Sequence, residues 1–130
     1  MFDSKSALPT VLLVEDDGLV RMVAAEVIEA EGYRVIEAEN SAEALRVLAR
    51  GIVPQVLVTD VRMPGSIDGF ALAHIVANRW PQVAILICSG HAQPKPGDMP
   101  AGAAFLNKPY LPMTLANKVA KLAGDATPAG

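Results

Sequence analysis

Cysteine is nearly missing from this 130-residue chain, with Cys88 its single example. One thiol cannot build an internal disulfide framework, so the fold must hold by packing, and the chain suits a reducing compartment. The run Ile85-Leu86-Ile87-Cys88 makes that thiol a small buried hydrophobe rather than a reactive group. Charge of one sign never accumulates: the net charge is -3 and no block of Lys and Arg stands out, which argues against a nucleic-acid surface. No apolar run reaches the ~18 to 20 residues of a membrane span. Residues 1–9 lack the basic start and apolar stretch of a signal peptide, so a cytoplasmic location is expected. Against these shortages stands a hydrophobic content of 52%, which is globular rather than disordered, in a length that fits one domain.

Periodicity divides the chain into alternating strands and helices. Residues 1–9 are expected to be a disordered leader, 10–123 the domain, and 124–130 a disordered tail. Thr10-Val11-Leu12-Leu13-Val14 is a short apolar and β-branched run, as in a strand buried on both faces. From Gly18 to Glu31, Leu19, Val20, Val23, Val27 and Ile28 recur with helical spacing, and Gly32 supplies a stop. Val35 to Ala38 is a second strand. Asn40 can cap the next helix, with Glu43 as its reciprocal partner. Val56 to Thr59 is a third strand, followed by a loop over Met63 to Ile67 that holds Pro64 and Gly65. Asp68 can cap a third helix, which Trp80-Pro81 ends. Strands over Val83 to Cys88 and Ala103 to Leu106 follow, then a helix from Pro112 to Leu122. Such alternation predicts an α/β doubly wound parallel sheet with helices on both faces. In sheets of that kind, ligands lie beyond the carboxyl ends of the strands.

The residues leaving those ends carry chemistry. Glu15, Asp16 and Asp17 follow the first strand, Asp60 the third, Ser89 and Gly90 the fourth, and Asn107, Lys108 and Pro109 the fifth. Carboxylates gathered on one rim raise one another's pKa unless a cation sits among them. Oxygen ligands without His or Cys suit Mg²⁺ rather than zinc. Lys108 adds a mobile positive charge and Ser89 a hydroxyl donor. Together they are equipped for phosphoryl transfer by positioning and charge neutralisation.

The set Val14-Glu15-Asp16, Asp60-Val61-Arg62-Met63-Pro64-Gly65, Ser89-Gly90 and Lys108-Pro109 resembles the response-regulator receiver domain of bacterial two-component signalling, over nearly all of residues 10–123. The resemblance implies five parallel strands in the flavodoxin-like order 2-1-3-4-5. It implies Asp60 as phosphoacceptor and a Mg²⁺ or Mn²⁺ ion held by Asp16, Asp60 and the main-chain carbonyl of Arg62, with Glu15 acting through water. Ser89 and Lys108 would grip phosphoryl oxygens, and Gly90 would leave them room. Phe105 matches the aromatic whose rotamer follows phosphorylation. The Arg62 and His91 side chains match positions that tune phosphoryl lifetime. The donor would be a histidine kinase or a phosphotransfer protein, and the downstream protein target is not named by the sequence. No nucleic-acid or membrane partner is expected. The domain would assist its own phosphorylation without being an enzyme.

Several of these residues also have plainer readings. Asp17 is assigned to capping the first helix, whose N-terminus favours negative charge. His91 and His74 read more simply as surface residues than as catalytic bases. Phe105 is a core residue on either reading. The Lys108-Pro109 bond suits a cis geometry.

Two stretches depart from the receiver pattern. The loop from Met63 to Gly69 looks one residue longer than usual, which should reshape the entry to the third helix without moving Asp60. Between Gly90 and Phe105, where receivers place a fourth helix, stand Pro94, Pro96, Gly97, Pro100 and Gly102. A helix interior disfavours proline by ~3 kcal/mol and glycine by ~1 kcal/mol, so a loop or one turn at most is predicted. As it stands, the chain reads as a stand-alone receiver, a phosphate sink or a receiver cut from a hybrid kinase. A Mg-dependent phosphatase with an aspartate nucleophile is the enzymatic alternative, but it would want an Asp where Arg62 stands. A flavin module would want a phosphate-cradling loop after the first strand, and that loop is acidic. A receiver that is never phosphorylated is the last alternative, although every chemical position holds a workable residue.

Overall fold

The structure, a computed structural model, describes residues 8–91 and 93–124. In chain order the elements are β1 (Thr10–Val14), α1 (Gly18–Glu29), β2 (Arg34–Ala38), α2 (Ser41–Ala49), β3 (Val56–Asp60), α3 (Gly69–Arg79), β4 (Ala84–Ser89), β5 (Ala104–Asn107) and α4 (Pro112–Gly124). The strands form one sheet of order β2-β1-β3-β4-β5 with every pairing parallel, the pairing expected from the alternation of elements and the order implied by the resemblance.

Side chains alternate across the sheet, and each face has its own core. Val11, Leu13, Val56, Val58, Leu86 and Leu106 meet Ala25 and Ile28 of α1 and Leu115 and Val119 of α4. Leu12, Val14, Leu57, Ile85 and Ile87 meet Ala44 and Leu48 of α2 and Leu72 and Val76 of α3. Burial on both faces explains why the inner strands read as unbroken apolar runs.

The caps are largely those read from the sequence. Asp17 Oδ1 accepts from the Leu19 and Val20 amides, Asn40 Oδ1 from Glu43, and Asp68 Oδ1 from Ala71. The reciprocal arm of the α2 cap differs by one residue, since Glu43 Oε1 accepts from the Glu39 amide instead of that of Asn40. α1 ends at Glu29 rather than Glu31. The last turn is closed by Glu31 N–H to Ile28 O and Gly32 N–H to Glu29 O, with Gly32 at φ 97°.

Leu19, Val20 and Val23 share the helical period of α1 but are exposed, and the buried face is Ala24, Ala25 and Ile28. The apolar period thus locates the helix and overstates its core. Gly124, expected in the tail, is the last residue of α4, and Pro9 O accepts from the Arg34 amide. The rest of the expected leader and tail, 1–7 and 125–130, lies outside the described residues.

No helix stands between β4 and β5 among the described residues, as the prolines and glycines there predict. A turn over Lys95 to Asp98 is closed by Asp98 N–H to Lys95 O and by Lys95 N–H to Asp98 Oδ2. His74 of α3, though exposed, pins that turn: its Nε2 lies 3.0 Å from both Gly97 O and Asp98 O. The β3–α3 loop is also anchored, by Ser41 Oγ donating to Ile67 O.

Candidate phosphoacceptor and metal site

Four strand ends converge because the ladders put them side by side. β1 and β3 pair through Val14↔Thr59, β3 and β4 through Asp60↔Cys88, and β4 and β5 through Ser89↔Asn107. Glu15, Asp60, Ser89 and Lys108 therefore leave the same edge of one sheet.

Asp60 ends β3 with its side chain 15% exposed, open enough for a small partner to reach. Its Oδ1 accepts from the Val61 amide at 2.8 Å. Lys108 Nζ lies 3.4 Å from Asp60 Oδ2 and donates to Glu15 Oε1 at 2.7 Å. Glu15 Oε2 accepts from the Asp17 amide. One carboxylate oxygen from each of Glu15, Asp16 and Asp60 can be chosen so that all three lie within 4.8 Å of one another. Such a set fits a hard divalent cation such as Mg²⁺, which takes carboxylates and keeps several waters.

The ionisation of the site shows its shortage of positive charge. Burial pushes the Glu15 carboxyl above the usual range, against the Lys108 hydrogen bond and the Asp17 amide, and the charge of Asp60 adds to the rise. Burial alone would lower Lys108. The Glu15 hydrogen bond and the charges of Asp60 and Glu15 outweigh it and hold the ammonium above its ordinary value. An isolated ion pair would lower its acid. Here the acid is more deeply buried than its partner, with side-chain exposures of 8% and 23%, and faces a second carboxylate. Cys88, beside Asp60 in the ladder, is pushed up to about 12 by burial and is inert as a nucleophile.

The other expected residues take the following positions. Ser89 is buried, and its Oγ accepts from the His91 amide. The Lys108 amide donates to Ser89 O, which fixes the lysine relative to the serine. Gly90 is exposed, and a Cβ there would stand 3.4 Å from Lys108 Cβ. The exposed Arg62 and His91 line the same depression as Asp60 and Lys108. Phe105 is half-buried and packs against the α2–α3 side of the core, as do Met99 and Ala103. The Lys108-Pro109 bond is cis.

Three features were not singled out from the sequence. A Cβ on Gly69 would lie 1.9 Å from Asp60 O, and the Gly69 amide donates to Val61 O, so α3 starts hard against the acid's backbone. Arg21 reaches back from α1 to the Glu15 carbonyl. The depression of roughly 690 Å³ beside Asp60 has apolar walls, including Leu19, Val20, Val23 and Tyr110. A glycine following the α3 cap was the only sequence signal for the first, and the exposed half of an apolar helix pattern for the third.

The fold and site define a phosphoacceptor module of the doubly wound class. The chain belongs to the response regulator receiver domain family, whose family model matches residues 11–120. It is 35% identical over 90% of its length to the sensor kinase CckA of Brucella abortus, spanning 13% of that protein. It is 37% identical over 63% of its length to the DNA-binding transcriptional regulator NtrC of Escherichia coli, spanning 17% of it. The receiver domain of the hybrid histidine kinase CckA superposes with a TM-score of 0.75 at 34% identity, covering 88% of this chain and 98% of that one. The Thermotoga maritima response regulator TrrA, solved in complex with Mg²⁺-BeF, gives 0.79 at 26% identity, covering 88% and 99%. The chain is thus a receiver domain of two-component signalling, with an acidic pocket of the kind that serves metal binding and phosphoacceptance. Among the described residues no helix is long and apolar enough to cross a membrane.

Proposed function

We propose that Asp60 accepts a phosphoryl group from a phosphohistidine donor, in a reaction that needs Mg²⁺ or Mn²⁺. One observation carries this reading: Lys108 Nζ stands within 3.4 Å of Asp60 Oδ2, on the rim where Glu15, Asp16 and Asp60 converge. The Asp60 carboxylate attacks phosphorus in line as the P–N bond to the donor imidazole breaks and the nitrogen keeps the electron pair. The product is an acyl phosphate. Lys108 and Ser89 bind phosphoryl oxygens, and Gly90 leaves them space. Asp16, Asp60 and the Arg62 carbonyl would hold the metal, and Glu15 would act on it through water. When bound, the ion would supply neutralisation of charge on the transferred group. Arg62 and His91 flank the phosphoryl group and set how long it lasts, and Phe105 follows the phosphorylated state.

The partner is a histidine kinase or phosphotransfer protein acting in the cytoplasm. The exposed apolar wall beside Asp60 supports a protein donor, since Leu19, at 67% exposure, offers contact area without purpose in the isolated domain. The protein does not turn over substrates as an enzyme; it carries the phosphoryl group and passes on its state by contact. The folded unit is the expected domain from residue 10 extended to Gly124, where α4 ends.

Incubation with a small acyl phosphate, followed by intact mass, tests the chemistry. One phosphoryl adduct is expected with Mg²⁺, none after chelation, and none in Asp60→Asn. Failure of folded wild-type protein to form an adduct overturns the reading.

A further inference from the structure

We propose that Arg21 is a positioning residue for the metal site, holding the Glu15–Asp16 peptide in the orientation that turns the Asp16 carboxylate towards the cation. The inference rests on the receiver reading above and adds a residue to it.

Side chains on a helix lean towards its N-terminus, so a long residue one turn into α1 lies back over the end of β1. Arg21 does so with its side chain only 16% exposed. Its Nη1 donates to Glu15 O at 2.7 Å, and its Nε donates to Glu37 Oε1 of β2 at 3.0 Å. The guanidinium therefore bridges the sheet edge to the first residue beyond β1.

That carbonyl needs a partner. β1 pairs with β2 and β3 only as far as Val14, so Glu15 O lies past the end of both ladders. The Glu15 amide is still held, by Ala38 O at 3.0 Å. With Arg21 on the carbonyl, both polar groups of Glu15's backbone are fixed. The next peptide unit is planar, so the direction of Glu15 C=O sets where the backbone of Asp16 begins. Asp16 is exposed, with little packing of its own to hold its carboxylate near those of Glu15 and Asp60.

The charged groups that shift the Glu15 carboxyl are Lys108 and Asp60. Two of the Arg21 donors go to the Glu15 carbonyl and to Glu37. Its planar fork serves two acceptors at once, which a lysine ammonium on a flexible stem does less well.

Amide-shift titration of the whole chain with MgCl₂ alone tests this, alongside thermal unfolding without metal. Arg21→Gln should raise the Mg²⁺ dissociation constant about 10-fold, the usual scale for losing a partner that orients a ligand. Arg21→Lys should fall between Gln and wild type, and Glu37→Ala should raise it about 3-fold because it frees only the far end of the fork. A lower melting temperature with Mg²⁺ affinity within 2-fold of wild type in the Gln and Lys variants would mean a purely structural role and overturn the proposal. Should Arg21→Gln not fold, Arg21→Lys and Glu37→Ala decide it by the same comparison. Absence of Mg²⁺-dependent shifts in the wild type would instead sink the metal site, and this proposal with it.

Discussion

Lys108 Nζ is nearer to Glu15 than to Asp60, at 2.7 Å against 3.4 Å. The ammonium is thus shared, with its shorter contact on the acid assigned no covalent role. Asp60 keeps a lysine within reach without being locked to it.

Removing that ammonium separates two of its effects. Lys108→Met should tighten Mg²⁺ binding a few-fold, because a competing cation leaves the acids. The rate of phosphorylation by a small acyl phosphate should fall about 100-fold, since a donor to the transferred group is lost. Calorimetric titration and adduct formation over time check the two arms. A parallel loss of both would contradict this division.

Alkaline pH should expose the environment of Tyr110. Burial raises its phenol from the ordinary 10.0 to about 12. A group with a raised folded pKa binds its proton longer in the folded state, so stability present below pH 10 is lost as pH rises through that window. Lys108, also raised, contributes in the same sense. Phenolate absorbance should show one tyrosine ionising near 12, and Tyr110→Phe should flatten the fall in denaturation midpoint between pH 10 and 12.

Gly69 should be intolerant of any side chain. A methyl group there would overlap Asp60 O, at 1.9 Å. Overpacking of this kind costs roughly 1 to 3 kcal/mol, and relief requires moving either α3 or the phosphoacceptor's backbone. Gly69→Ala is expected to lower the urea midpoint and slow adduct formation, whereas Gly124→Ala should leave the adduct rate unchanged, because no atom lies within 4 Å of the position its Cβ would take and its φ is not positive.

His74 should control the β4–β5 connection. Its bonds to Gly97 O and Asp98 O need a donor at Nε2, which alanine cannot supply. In His74→Ala, amides from 95 to 99 should exchange at least several-fold faster while those of β4 stay protected. Unchanged exchange would show that the local turn and the packing of Met99 suffice.

Much of this was legible in the sequence because it depends on local rules. Strand ends, caps at Asp17, Asn40 and Asp68, and the proline-broken connection each follow from a few neighbouring residues. So did the meeting of Glu15, Asp16, Asp60 and Lys108, since parallel strands bring their carboxyl ends to one rim. What stayed hidden depends on distances between elements. Arg21 looks like any helical surface arginine until β2 is placed beside it. Gly69 looks like a helix start until the β3 backbone is seen 1.9 Å from its missing side chain. Leu19, Val20 and Val23 were indistinguishable from core by period alone, because a helix pattern does not say which apolar stripe finds a partner.

The connection without a helix has a consequence for engineering. β5 is set against β4 by the ladder from Leu86↔Ala104 to Ser89↔Asn107, and the intervening chain supplies none of those bonds. An insertion at the exposed Lys95-Pro96 stretch would therefore give up the Lys95–Asp98 turn but none of those ladder bonds, so a tag, an epitope or a sensor module could be spliced in while the chemistry at the strand ends keeps its geometry.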